Sequence, residues 1–130
     1  MKTYLGIELG STRIKAVSIN ETFTPVSSGD YGWKSSYQNG IWTYDLEDAW
    51  FGIKTALQNI KHRESIQSIG ISGMMHGFLA FDKDWKLLTP FRTWQNTITG
   101  PAASELSNLF DFNIPQRWSI AHLYQAIQNK

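Results

Sequence analysis

Three short stretches of this 130-residue chain carry residue types whose spacing suits chemistry. In the first, Gly6-Ile7-Glu8-Leu9-Gly10-Ser11-Thr12 with Lys15 just beyond, a glycine and two hydroxyl residues close an apolar run. A tight turn of that composition exposes backbone N–H groups and side-chain donors, which is what phosphate binding requires. Glu8, at the end of the run, is an oxygen ligand able to orient magnesium directly or through water. The spacing is neither GxxxxGK[ST] nor GxGxxG, and an ordinary hairpin with a Gly-Ser turn has the same letters. In the second stretch, Ile69-Gly70-Ile71-Ser72-Gly73-Met74-Met75-His76-Gly77, glycines on both sides of the bend let the backbone bring His76 to a sheet edge. There an imidazole can bond a sugar hydroxyl and Met75 can cover the carbon face of the sugar; the plainer alternative is a structural histidine. The third, Trp94-Gln95-Asn96, joins an aromatic plane to two amides, a set that stacks on a sugar ring and bonds its hydroxyls, or else a core tryptophan before a polar loop.

Other chemistries fare worse. The three histidines, His62, His76 and His122, are too scattered for metal-ligand spacing, and the chain has no cysteine. Ser72 lies between glycines without forming the G-x-S-x-G elbow.

These stretches need elements to position them. Thr3 to Leu9 and Arg13 to Ile19 read as a strand pair around Gly10, Ser11 and Thr12, with a third extended segment from about Pro25 to Ser36. Asp45 is a good N-cap for a helix whose apolar face holds Leu46, Ala49, Trp50, Ile53, Leu57 and Ile60. Short strands are expected at Ser65 to Ser72 and Gly77 to Asp82, then a turn at Asp82 to Asp84 and an extended stretch from Leu87 to Trp94 broken at Pro90. Pro101 suits the first turn of a helix holding Ala102, Leu106, Leu109 and Phe110. A last helical segment sets Ile120, Leu123, Tyr124 and Ile127 on one face and runs to Lys130, with nothing beyond for that face to pack against. Strands first, then helix, strands and helices predict an α/β fold, a mixed sheet with helices on it.

Composition bounds the answer. The chain is 42% hydrophobic and 14% aromatic, enough for one core of ordinary size. A formal charge of +1 gives no reason to expect nucleic acid or an anionic membrane as partner. The first residues show no export signal and the apolar runs are too short for a membrane helix, so a soluble, cytoplasmic protein is expected.

Taken in order, the three stretches resemble the amino-terminal part of the FGGY family of carbohydrate kinases, which includes xylulose, ribulose, gluconate and glycerol kinases. Tyr4 to Thr12 is similar to the family's first phosphate motif, Ile69 to Gly77 to the Gly-(Gln)-Met-His-Gly stretch of xylulose kinases, and Pro90 to Asn96 to the segment ending Trp-(Asn/Gln)-Asp. Glu8 stands where the motif usually has aspartate, Met74 where xylulose kinases have glutamine, Asn96 where many relatives have aspartate, and Ile98 near a common arginine.

The resemblance implies the ribonuclease H-like fold of the actin and hexokinase superfamily. It also implies ATP and Mg2+ as cofactors, with Glu8, Gly10, Ser11, Thr12 and Lys15 on the nucleotide side and Glu8 toward the metal. Met75, His76, Trp94 and Asn96 would contact the substrate. The expected partner is a small-molecule sugar or polyol, and the full-length protein is expected to pair as a homodimer. Residues 1–130 would then be the amino-terminal part of a first domain, without the nucleotide-side domain and inactive alone, because the family's catalytic aspartate lies downstream. Two other classes compete. One is a non-kinase actin-like ATPase or scaffold, since the phosphate turn is shared more widely than the sugar motif; the other is a non-catalytic carbohydrate-binding module, suggested by Trp33, Trp42, Trp85 and Trp94.

Overall fold

A computed structural model describes residues 1–129. In chain order the elements are β1 (Thr3–Leu9), β2 (Arg13–Asn20), β3 (Pro25–Gly32), β4 (Ser36–Gln38), β5 (Ile41–Tyr44), α1 (Leu46–Gln58), β6 (Ile66–Gly73), β7 (Phe91–Arg92), α2 (Gly100–Phe110) and α3 (Ser119–Gln128). They form two compact units, one of Met1–Lys34 with Asp45–Met74, the other of Ser35–Tyr44 with the residues from Met75 onward. Lys130, to which the sequence reading extends the last segment, lies outside the described residues. Among those described, no helix is long and apolar enough to cross a membrane.

The first unit is a mixed sheet in the order β3-β2-β1-β6. β1 and β2 pair antiparallel from Thr3↔Asn20 to Leu9↔Ile14, the hairpin expected around Gly10. β6 runs parallel to β1, with Leu5 beside Ile69 and Glu8 beside Ser72. Period-2 alternation sends Ile14, Ala16 and Ser18 into the core and leaves Arg13, Lys15 and Val17 on the open face. Asp45 caps α1 as expected, its carboxylate accepting the Glu47 N–H.

The apolar face of α1 read in the sequence holds at Ala49 and Ile60, which are buried, and at Leu46, Ile53 and Leu57, which are half-buried; it departs at Trp50. The buried stripe of α1 is Ala49, Gly52 and Ala56, while Trp50 is exposed and Ile60 lies beyond the helix. Small residues win because the backbones approach closely. A Cβ on Gly29 of β3 would overlap the Ala56 carbonyl, and one on Gly52 would meet Ile14 Cδ1 and a Tyr31 ring carbon at 2.6 Å. Tyr31 then locks the rotation, donating its hydroxyl to Asp48 at 2.6 Å and setting its ring edge-on to Phe51.

The second unit has a small sheet, β4-β5-β7, and the helix pair α2 and α3. The third extended segment therefore ends at Gly32, and Ser36 starts a strand of this other sheet. Asn39 (φ 51°) and Gly40 (φ 81°) close the β4–β5 hairpin in the left-handed region, the conformation that an Asn-Gly pair favours. The strand expected over Gly77 to Asp82 is reduced to two isolated bridges, Phe78↔Arg92 and Phe81↔Leu87, because its partner stretch is interrupted at Pro90. Pro101 sits in the first turn of α2, as expected, and the Gln125 side chain of α3 accepts the Ala102 N–H. Ala103, Leu106, Ile114 and Ala121 form the core with Trp118 and Tyr124 packed on it. Leu109, Phe110, Ile120, Leu123 and Ile127 are exposed, while Ala102, Ala103 and Leu106 of α2 and Ala121, His122 and Gln125 of α3 are buried.

Candidate functional site

In the first unit the turn between β1 and β2 is as tight as its glycine allows. The Gly10 N–H donates to the Arg13 carbonyl at 2.9 Å, and a Cβ on Gly10 would stand 2.9 Å from that same oxygen. Only glycine fits here without moving the turn. Ser11 and Thr12 are exposed at its tip. Glu8 and Lys15 face each other across the hairpin and form an ion pair at 3.3 Å, both about half exposed. An exposed pair contributes about 1 kcal/mol at most, so either partner can be exchanged for a ligand charge at little cost. Beside them lies a shallow basin of about 400 Å³, lined by Gly6, Glu8, Lys15, Val17, Gly70 and Ser72 among others.

Among the described residues no three His, Cys, Asp or Glu side chains gather as a metal cage. Glu8 alone fits the way magnesium is usually held, by one or two carboxylates with water and substrate oxygens making up the rest.

The turn is held by a residue that sequence reading assigned elsewhere. Trp33, immediately after β3, is 6% exposed. Its indole Nε1–H donates to the Gly10 carbonyl at 2.7 Å, and its backbone N–H to the Thr12 carbonyl at 3.1 Å. Nothing in the local sequence signals a contact 23 residues away. With Trp33 buried, the reading of four tryptophans as a polysaccharide-binding face loses one of its members.

In the second unit Met75 is 75% exposed and His76 partly so. His76 has φ 69°, left-handed backbone that side chains other than Gly, Asn and Asp rarely adopt, at a cost of about 1–2 kcal/mol. It lines a cleft of about 400 Å³ with Trp118, Ser119 and Ile120 at the start of α3. A Cβ on Gly77 would stand 3.4 Å from the Phe91 ring, an ordinary contact distance.

Trp94 is half exposed, free to offer a ring face. Asn96 is different: it is 4% exposed, its Oδ1 accepts the Trp42 N–H at 2.8 Å, and its Nδ2 donates to the carbonyls of Trp42 at 2.7 Å and Thr93 at 3.0 Å. Its amide hydrogens are committed to backbone, which fastens the segment to β5. Around it Tyr37, Gly40, Trp42, Gln95, Thr97 and Ile98 line a cavity of about 480 Å³. Ile98 adds an apolar side chain to this wall.

The buried histidine is His122, not His76. It is fully buried on α3, stacked on Phe78 at 5.4 Å, and neither ring nitrogen has a hydrogen-bond partner among the described residues. The Arg92 guanidinium lies 5.6 Å from the same Phe78 ring and donates to the His122 carbonyl at 3.4 Å. Burial, then the nearby Arg92 charge, pushes the His122 pKa down to about 4.

The mixed sheet with its helices is the fold of the amino-terminal domain of sugar kinases of the actin and hexokinase type. Residues 3–124 match the model of the FGGY family of carbohydrate kinases, N-terminal domain, and the chain belongs to that family. It is 31% identical over 112 residues to a xylulose kinase of Klebsiella pneumoniae, covering 83% of this chain and 23% of the relative. A xylulose kinase of Escherichia coli is 28% identical over 117 residues, covering 87% and 23%. The chain thus spans under a quarter of the length of these curated relatives. Among solved structures, a xyloylose kinase from Brucella ovis superposes with TM-score 0.88 at 26% identity, covering 98% of this chain and 29% of that one. A Plasmodium falciparum glycerol kinase shares the fold with TM-score 0.80 at 17% identity, covering 100% and 29%.

Proposed function

We propose that the polypeptide carrying this chain transfers the γ-phosphoryl group of ATP to a hydroxyl of a sugar or polyol, with xylulose the first substrate to test. The observation that carries this reading is the β1–β2 turn, so tight at Gly10 that a methyl group would strike the backbone, in a chain of the FGGY family. Such a turn presents amides and the hydroxyls of Ser11 and Thr12 to phosphate oxygens. Lys15, already beside Glu8, adds positive charge on the same face. Glu8 would hold magnesium or one of its waters, and bound magnesium supplies neutralisation of the charge that develops on the transferring group.

On the substrate side, His76 bonds a sugar hydroxyl, Met75 covers carbon, and Trp94 stacks on the ring. Asn96 serves them by holding the Trp94 segment against the backbone of Trp42. These residues bind and orient; none is assigned as the base that takes the hydroxyl proton. This chain by itself, under a quarter of its curated relatives' length, is expected to turn over no sugar.

The test is kinetic. In the polypeptide as its gene encodes it, His76→Ala should raise KM for xylulose about tenfold or more while KM for ATP stays unchanged, the loss of a hydrogen bond to substrate. Absence of ATP-dependent phosphorylation across pentuloses, gluconate and glycerol would overturn the reading.

A further inference from the structure

Beyond its own Gly10 N–H to Arg13 carbonyl bond, the phosphate-type turn is held from outside. Its carbonyls at Gly10 and Thr12 are both taken by one residue, Trp33, through the indole N–H at 2.7 Å and the backbone N–H at 3.1 Å. The peptide unit is planar and trans, so the N–H of Ser11 points opposite to the Gly10 carbonyl. Anchoring that carbonyl to the buried indole therefore directs the Ser11 amide to the side away from Trp33. The Ser11–Thr12 peptide is bracketed between the two anchors and has little freedom to flip. Donors aimed before a ligand arrives bind it more tightly than donors that must be ordered on binding.

We propose that Trp33 is a positioning residue for nucleotide phosphate, its indole N–H holding the Gly10–Thr12 turn in the orientation that receives the ligand. The inference rests on the reading of that turn as phosphate-binding. The two hydrogen bonds of Trp33 separate cleanly by substitution: Trp33→Phe removes only the indole donor and keeps the backbone one. Benzothienylalanine at position 33, with sulfur in place of the indole N–H, removes the donor while keeping the bicyclic shape, and covers the case in which phenylalanine packs poorly.

The experiment is calorimetric titration of the gene-encoded polypeptide with MgATP and, separately, with xylulose, alongside thermal unfolding. Both replacements should raise the Kd for MgATP about five- to tenfold, the scale of one lost hydrogen bond, with xylulose affinity within about twofold of the parent. A Ser11→Ala, Thr12→Val double variant tests the turn itself and should weaken MgATP binding too. If the double variant loses MgATP affinity and neither Trp33 replacement does, Trp33 has no positioning role. If the double variant binds normally, or the parent binds no MgATP, the phosphate reading fails and this inference with it. Parallel loss of MgATP and xylulose affinity with a lowered Tm marks a general packing role and overturns the proposal. Loss with phenylalanine but not with the sulfur isostere does the same.

Discussion

At Asn96 one side-chain amide serves three backbone groups, two carbonyls and an N–H, and so does work that the aspartate expected from the family pattern cannot do. An aspartate has no hydrogen to give the carbonyls of Trp42 and Thr93 and would set its charge against them. Asn96→Asp should lower stability by about 3 kcal/mol in urea unfolding, and Asn96→Ala, which leaves the Trp42 groups without their partner, by about 2 kcal/mol. An aspartate variant as stable as the parent would mean that those carbonyls turn aside. At this scale the sequence showed which residue types were available but not how each was used. Asn96 looked like a substrate ligand and is committed to backbone; Trp33 looked like a binding-face aromatic and is the anchor of the turn. Both outcomes depend on partners far along the chain, at separations of 54 and 23 residues.

Among the elements, α1 and the sheet beneath it show how glycine sets a packing distance. Gly29 lies under Ala56, and any side chain there overlaps helix backbone, which cannot rotate out of the way. Gly29→Ala should therefore cost about 3 kcal/mol, the upper part of the range for overpacking, read as a lower urea midpoint with an unchanged slope. A neutral result would mean that α1 can lift off the sheet freely. The hairpin, the Asp45 cap, β6 and the Pro101 start of α2 were legible because each is written in neighbouring residues. On the apolar face of α1 only Trp50 was misplaced, because periodicity reports which side chains are greasy, while the exact rotation follows from where small residues let backbones meet. The strand expected over Gly77 to Asp82 failed for a similar reason: a strand is a property of a pair, and Pro90 interrupts its partner stretch.

For the molecule as a whole, His122 couples stability to pH. Burial holds it neutral in the folded chain, with a pKa of about 4, while in the unfolded chain it takes a proton near the ordinary 6.5. Between those values the unfolded state binds more protons. Stability is thus full above about pH 6.5 and falls as pH drops toward 4, by on the order of 3 kcal/mol from this one group. His122→Phe keeps a flat ring against Phe78 and removes the titration. Its advantage over the parent should grow between pH 7 and pH 4.5 in paired thermal melts; a constant difference would show that the imidazole is protonated in place.

The sequence by itself determined the family, the order of strands and helices, and the glycine turn at Gly10, because these follow from residue type and short-range spacing. Only the tertiary structure decided which tryptophan anchors that turn, which histidine is sealed and which stays reachable, and which amide is already taken. Those are questions of distance between residues remote in the chain, set by how side chains pack once the elements have met, and no local pattern records them.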